Sequence, residues 1–562
     1  MLKRIVLFGG LIIASTVGHS VAWCQQSGWS LRDQSSPVQG GVGNDHHREP
    51  IPAENPQNPD ASRGVTRTAA SSDLARSEIE DWINIEYWDN VECPEPESKP
   101  RRPIAPQPWK PLFYENDFSY KKDACHVPLV GECLKDIPCD FGGCPGFLEG
   151  SRLSFGGELR HRFMNEENRL RPFGPGRSTY DLWRWRNYVD FSLPDVFRLY
   201  VEMIDTSIFH EDLPATAIDL NRWDLLNAFV DLKVGERDNK PIYLRFGRQE
   251  LLYGSQHLIS PLNWGNTRRN FEGFKITSKG ATWDIDAFVT RPVNTATGNG
   301  PLSRFDNERD RSDASRTFNG VYATHHGLEN HTIDLYWLWL REQEPIIGRA
   351  DGSRHTVGLR WQTTRNVTSE CCQVARIWTA DIEGAYQFGH DNGETLQAGF
   401  LSAKLGHTWK SLLWEPTLTA VYYWGSGDRD PTDDENNTFS VLFPLGHAYW
   451  GLIDNLSGQN LNDYSLQATV KPVEKLKFAA AVHWFDLDTD SDVLYNVTGA
   501  RLGLPGTGTG IGEELDVVGI YTFSPNLNVQ IGYLWFWYGT FVHNNLPRDT
   551  ARQFYVQTTL RY

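Results

Sequence analysis

The sequence predicts an all-β protein: a transmembrane antiparallel β-barrel of about eighteen strands, with short periplasmic turns and long outer loops, preceded by a partly disordered N-terminal extension. Three observations predict it. The chain is rich in aromatic residues (12%, with 21 Trp and 21 Tyr) yet polar overall, with a mean hydropathy of −0.48. Only one face of each barrel strand meets lipid, so such a wall is half apolar and half polar. From Leu153 onward, segments of alternating polarity recur at about ten residues each, the length that crosses a bilayer at a tilt. The connections between them mostly alternate short with long, a pattern that a sandwich or propeller has no reason to adopt.

The elements follow in order. Residues 1–22 read as a signal peptide: Lys3 and Arg4, an apolar run over 5–17, then Ser20, Val21 and Ala22 at a cleavage site. A retained membrane helix is excluded by the shortness of that run. Lipidation at Cys24 is disfavoured by the bulky Trp23 before it. Residues 23–108 form a low-complexity and then Pro-rich extension without periodicity, expected to be disordered apart from a short helix or aromatic arm over 78–88.

Residues 109–150 form a Cys-containing periplasmic lead-in or plug segment. The spacing of Cys125, Cys133, Cys139 and Cys144 does not match paired zinc ligands, and disulfides suit an exported chain. Cys93 leaves the group odd in number. The vicinal pair Cys371 and Cys372 is assigned no chemistry.

Residues 151–562 form the outer-membrane barrel. Strands are expected near 153–163, 181–193, 197–205, 225–234, 241–249, 270–278, 281–291, 317–325, 331–342, 354–364, 376–388, 395–405, 416–425, 462–471, 475–486, 513–523, 527–538 and 552–562. Short links fall at 193–195, 279–280, 471–474 and 524–526. Long ones fall at 206–224, 250–269, 292–316, 426–461 and 487–512. An even strand number puts both barrel ends in the periplasm. The last strand places Phe554, Val556, Thr558, Leu560 and Tyr562 on one face, the pattern that the barrel-assembly machinery reads.

Alternation assigns the faces. Trp183, Trp185, Val189 and Phe191 face lipid, so Arg184, Arg186, Tyr188 and Asp190 face the lumen. Arg160 and Arg162 share the inner face of the first strand with Glu158. Ile242, Leu244 and Phe246 face out, and Arg245 faces in. Lys275 lies on the inner face of the following strand. Asp284 and Asp286 face in, as do Arg360, Asp381 and Glu383. Strict alternation turns Arg248 toward lipid, where a mid-bilayer Arg costs ~2–4 kcal/mol. A bulge or the strand's end near Gly247 is therefore expected to bring Arg248 to the lumen or pore mouth. Arg268 and Arg269 enter the next strand close by. The same charges read equally as wall bracing, with Arg and acids of neighbouring strands simply pairing.

Three blocks carry a family likeness. They are GRQELLYGSQHLISPLNW with NTRRNFEGFKI (247–276), YYWGSGDRDPTDDENNTFSVLFPLGHAYWG (422–451), and GGELRHRFMNEENRLR with TYDLWRWRNYVDF (156–191). They resemble the alginate-export family of outer-membrane β-barrels, and the likeness covers roughly residues 109–562. It implies a passive pore for an anionic polysaccharide, alginate or a similar polyuronate, with no cofactor. Arginine suits that cargo, because its planar fork grips carboxylates bidentately and keeps its charge. The resemblance also leaves room for periplasmic export components as partners.

Other readings stay open. A porin could take up anionic oligosaccharides or small solutes, and a plugged barrel could bind ligands with its loops. Asp428, Asp430, Asp433, Asp434 and Glu435 are dense enough to suggest Ca²⁺, but they lack EF-hand spacing and read better as a solvated loop. There is no G-x-S-x-G elbow, and His325-His326 has no third ligand near it, so nothing points to an enzyme. A net charge of −17 argues against nucleic acid as a partner.

Overall fold

The computed structural model describes residues 107–562, except 124–125, 139–148, 172–174, 296–308, 344–350, 369–373 and 547. The expectations for the signal peptide, the extension and its 78–88 arm, and every cysteine but Cys133 lie outside the described residues. Cys133 itself is disulfide-bonded. All described residues fall in one compact unit, Leu74–Tyr562.

Eighteen long strands occur among the described residues. They are β1 (Arg152–Glu167), β2 (Arg177–Leu193), β3 (Phe197–Phe209), β4 (Asn221–Arg237), β5 (Lys240–Gln249), β6 (Phe271–Lys279), β7 (Trp283–Asn294), β8 (Arg316–His325), β9 (His331–Glu342), β10 (Gly352–Thr368), β11 (Val374–Asp391), β12 (Glu394–Trp409), β13 (Thr417–Gly425), β14 (Leu461–Val473), β15 (Leu476–Leu487), β16 (Gly510–Ser524), β17 (Leu527–Tyr538) and β18 (Ala551–Arg561). Each pairs antiparallel with the next. β18 returns to β1, in register from Glu158↔Arg561 to Glu167↔Arg552. The barrel is thus closed, and closure leaves no unpaired strand edge in lipid, where each orphaned N–H or C=O is costly.

The strand count and order agree with the sequence reading. Seven strands, β1, β2, β3, β4, β7, β11 and β16, run three or four residues further at the long-loop end than the alternating pattern marks, where alternation fades into loop sequence. Burial follows the period of two. On β2, Trp183 and Val189 are 40% and 41% exposed, whereas Arg184 and Arg186 are 1% exposed. For an ordinary soluble protein that inversion would be ruinous; for a barrel wall it is the expected partition.

Connections at one end, including 194–196, 238–239, 280–282, 474–475 and 525–526, hold two to seven residues. Those at the other end are long, except Asn392-Gly393 between β11 and β12. Two of the long ones, 250–270 and 426–460, do not stay outside. Leu251, Leu258, Ile259 and Trp264 of the first are buried, as are Phe439, Leu445, Trp450 and Ile453 of the second. They form one hydrophobic cluster with inward side chains of the wall, such as Phe271, Phe288, Phe318 and Tyr555. The core of this protein is the filled lumen.

Candidate functional site in the lumen

The two in-folded loops meet inside the barrel. Ser260 N donates to Phe443 O at 2.9 Å, Phe443 N to Leu258 O at 3.0 Å, and Leu445 N to Gln256 O at 3.0 Å. Ile259 and Phe443 form a parallel bridge. Two of the sequence blocks singled out above, far apart in the chain, are therefore joined as a short ribbon across the lumen. Rings lock it. Trp264 stacks on His447 at 3.7 Å and His257 lies 3.8 Å from Tyr449. Burial pushes both imidazoles below their ordinary range, against the opposing pull of Glu383 on His257 and Asp454 on His447. Near neutral pH the loop histidines therefore add no positive charge.

The arginines gather against the first loop. Arg160 donates to Asn263 O at 2.7 Å and Gly265 O at 2.6 Å. Arg184 reaches Asn263 O at 2.9 Å and its side-chain oxygen at 2.6 Å. Arg268 donates to the same Asn263 side chain. Three guanidinium groups thus converge on one asparagine. Arg162 lies with its Cζ 3.4 Å over the Trp264 ring and donates to Gln557. Arg269 donates to Ser260 O and Pro444 O, both at 3.2 Å, joining the two loops.

Carboxylates match these cations on the same wall. Arg184 pairs with Glu158 at 2.7 Å and Arg186 with Glu202 at 2.7 Å. Arg268 pairs with Glu250. Asn227 Nδ2 donates to both Glu202 and Glu250 at 2.9 Å, tying the pairs into one network. Arg245 makes a bidentate fork with Asp231 at 2.7 and 2.8 Å.

The remaining sequence-selected residues fall elsewhere. Lys275 meets Asp286 at 3.2 Å, and Arg360 bridges Asp381 at 2.7 Å and Asp334 at 3.2 Å on β9–β11. Glu383 accepts from Tyr336 OH at 3.0 Å and sits 2.8 Å from His257 Nδ1. Asp190 pairs with Arg198 at 2.7 Å, and Asp284 with His326 at 3.3 Å, both near the short-turn end. Asp430, Asp433 and Asp434 are exposed, and their neighbours Asp428 and Glu435 are half-buried. Among the described residues no cluster of three potential metal ligands occurs.

Arg248 is buried one residue from the end of β5, the strand's-end position that is one of its two expected settings; no bulge occurs beside it, since β5 pairs evenly with β6 from Ile242↔Ser278 to Gln249↔Phe271. A pair of glycines faces across the two strands just before it. Gly247 (φ +131°) lies opposite Gly273 (φ +155°), both in conformations that L side chains rarely adopt. Added Cβ atoms would come within 2.2 Å of Ala228 O and Val289 O. Arg248 donates to Leu225 O at 3.0 Å and Asp310 O at 2.9 Å and pairs with Glu272 at 3.3 Å.

Sequence reasoning did not single out Asn263, Trp264, His257, His447 or Phe443. One signal was present: SQHLISPLNW and FSVLFPLGHAYWGLI are too apolar for loops bathed in water.

A closed barrel with an occupied, charged lumen defines the class: an outer-membrane β-barrel pore. Residues 151–556 match the alginate export family, and the chain belongs to it. Membership places it among channels rather than enzymes. Among solved structures it is similar to the outer membrane protein OpdK from Pseudomonas aeruginosa (14% identity, TM-score 0.50, covering 73% of this chain and 99% of that one). It is also similar to OccK5 (OpdH) from the same organism (14% identity, TM-score 0.48, covering 74% and 100%). OprD, again from Pseudomonas aeruginosa, matches at 12% identity and TM-score 0.48, covering 73% and 94%. At such identities the likeness concerns the fold alone. No curated protein matches.

Proposed function

We propose that this pore passes an anionic polysaccharide, alginate or a similar polyuronate, with arginine as the residue that receives its carboxylates. The chain would be exported by its signal peptide, inserted by the barrel-assembly machinery, and supplied with polymer by periplasmic export components. The observation that carries the reading is the convergence of Arg160, Arg184 and Arg268 on Asn263, beside Arg162, Arg186, Arg245, Arg248 and Arg269. A carboxylate binds a guanidinium more strongly than an amide oxygen does, because both partners are then ionised and can pair through two parallel bonds. A uronate arriving here would thus find donors now occupied by a neutral asparagine and by backbone carbonyls. The acids alongside keep the site from becoming a trap. With Glu158, Glu202, Glu250 and Asp231 already in place, a polymer exchanges partners instead of binding irreversibly, as conduction demands.

The test uses planar bilayers and proteoliposomes. The wild-type protein should prefer anions in a salt gradient and release entrapped alginate oligomers. Replacing Arg184, Arg186, Arg245, Arg248, Arg268 and Arg269 with Gln, singly and together, should lower anion preference stepwise. A correctly assembled sixfold variant with unchanged reversal potential would reduce these arginines to wall bracing and remove the reading's support.

A further inference from the structure

The segment just before the barrel enters the lumen from the short-turn end. Leu112, Phe113 and Tyr114, around a single 3₁₀ turn (Phe113–Glu115), are buried against Tyr188, Tyr200, Phe229 and Leu252. The three wall rings make a ladder over β2, β3 and β4. Tyr188 stacks on Tyr200 at 5.6 Å, and Tyr200 on Phe229 at 5.2 Å. Phe113 lies 5.9 Å from Tyr188, and Tyr114 lies edge-on 5.1 Å from Phe229.

Guanidinium groups of the proposed substrate path cover this segment. Arg186 lies 4.0 Å over the Phe113 ring and Arg245 4.6 Å over the Tyr114 ring. Arg198 Nη2 donates to Tyr114 O at 2.7 Å and Arg268 Nη2 to Pro111 O at 3.2 Å. Tyr114 OH donates to Glu250 O at 2.7 Å. Flat rings flanked by guanidinium forks form a shelf suited to a uronate, whose ring face is apolar and whose carboxylate is planar. The segment fills it with rings in place of sugar faces and adds carbonyls as acceptors for Arg198 and Arg268, while Glu202, Asp190 and Asp231 of the wall pair with Arg186, Arg198 and Arg245. A guanidinium bond to a neutral carbonyl carries charge on one partner only and is weaker than one to a carboxylate, so the occupant is replaceable.

We infer that residues 109–115 are a built-in competitor: they occupy a uronate-binding shelf made by Tyr188, Tyr200, Phe229, Arg186, Arg198 and Arg245, and a passing polyuronate must displace them. This inference rests on the polyuronate reading above.

The test is made on the full chain in detergent or nanodiscs, with hexamannuronate as the probe. Hydrogen exchange in peptides within 107–122 should quicken at least threefold when the hexamer is added, while β2 stays unchanged. Phe113→Ala/Tyr114→Ala should bind the hexamer at least tenfold more tightly than wild type. If that variant does not assemble, Tyr114→Phe, which loses only the bond to the Glu250 carbonyl, carries the comparison with a smaller gain. A hexamer that binds wild type without altering exchange, and binds the variants no better, overturns the inference. A hexamer that binds neither form overturns the polyuronate reading instead. Conductance then judges the segment alone: a larger current in the assembled variant keeps it as an occluding element, and an unchanged current removes that role as well.

Discussion

Arg184 and Glu158 are almost inaccessible and hold each other at 2.7 Å on adjacent strands. Breaking such a pair from one side leaves an uncompensated buried charge. Arg184→Met should therefore cost about 3–5 kcal/mol. Glu158→Met/Arg184→Met should cost less than the sum of the two single changes, since the pair's mutual demand disappears. Urea unfolding of the refolded barrel, followed by heat-modifiable gel mobility, reads both values. At the same scale, the facing glycines make a sharper claim. Gly247→Ala and Gly273→Ala place a Cβ within 2.2 Å of a neighbouring backbone oxygen, whereas at Gly235 the nearest atom is Ile242 Cδ1, 3.7 Å away. The first two should lose assembled protein and the third should not. The backbone strain alone is worth about 1–3 kcal/mol. Equal assembly of all three variants would refute the need for glycine at 247 and 273.

At the scale of elements, the two in-folded loops matter more than any strand. Phe443 is the keystone of their ribbon, with its ring 4.8 Å from Phe318, 5.1 Å from Phe271 and 5.6 Å from the Arg269 guanidinium. Truncating a buried Phe costs about 3–5 kcal/mol, a transfer loss plus a cavity. The barrel wall does not depend on that ring, because its ladder bonds are between strands. Phe443→Ala should therefore leave heat modifiability intact while loosening the loops. The expected signs are a larger and noisier single-channel current, and cleavage within 426–460 by protease added outside the membrane. Unchanged conductance together with full protease resistance would show that the loops hold without the ribbon.

For the whole molecule, closure is the decisive contact. β18 pairs with both β17 and β1, and Glu158, Arg561 and the backbone of Gly157 and Tyr562 meet at that seam. Deleting residues 554–562 removes most of the strand and opens an edge in lipid. No heat-modifiable species should form, and the product should be extractable only by urea. Normal assembly of this deletion would refute the closed barrel.

Alternation of side chains along a strand is local, and lipid meets one face only. That is why strand number, strand order and the inward faces of residues such as Arg184, Arg186, Asp381 and Glu383 were legible in the sequence. It is also why the family likeness, carried by three ordered blocks, pointed to the right fold. Contacts between distant segments had no such local trace. Arg160 meets Asn263 across 103 positions and Arg561 meets Glu158 across 403, and only the barrel's register brings either pair together. Arg248 shows the same limit within one strand: a bulge or the strand's end was expected near it, and it is the strand's end that it occupies, with no bulge beside it. By itself, the sequence determined a closed barrel wall with charge on its inside, because a period of two in a two-sided solvent leaves little choice. Only the tertiary structure decided what fills that wall. Whether an apolar loop stays outside or folds in depends on the free volume and partners that the closed lumen offers it, and these exist only once all the strands have met.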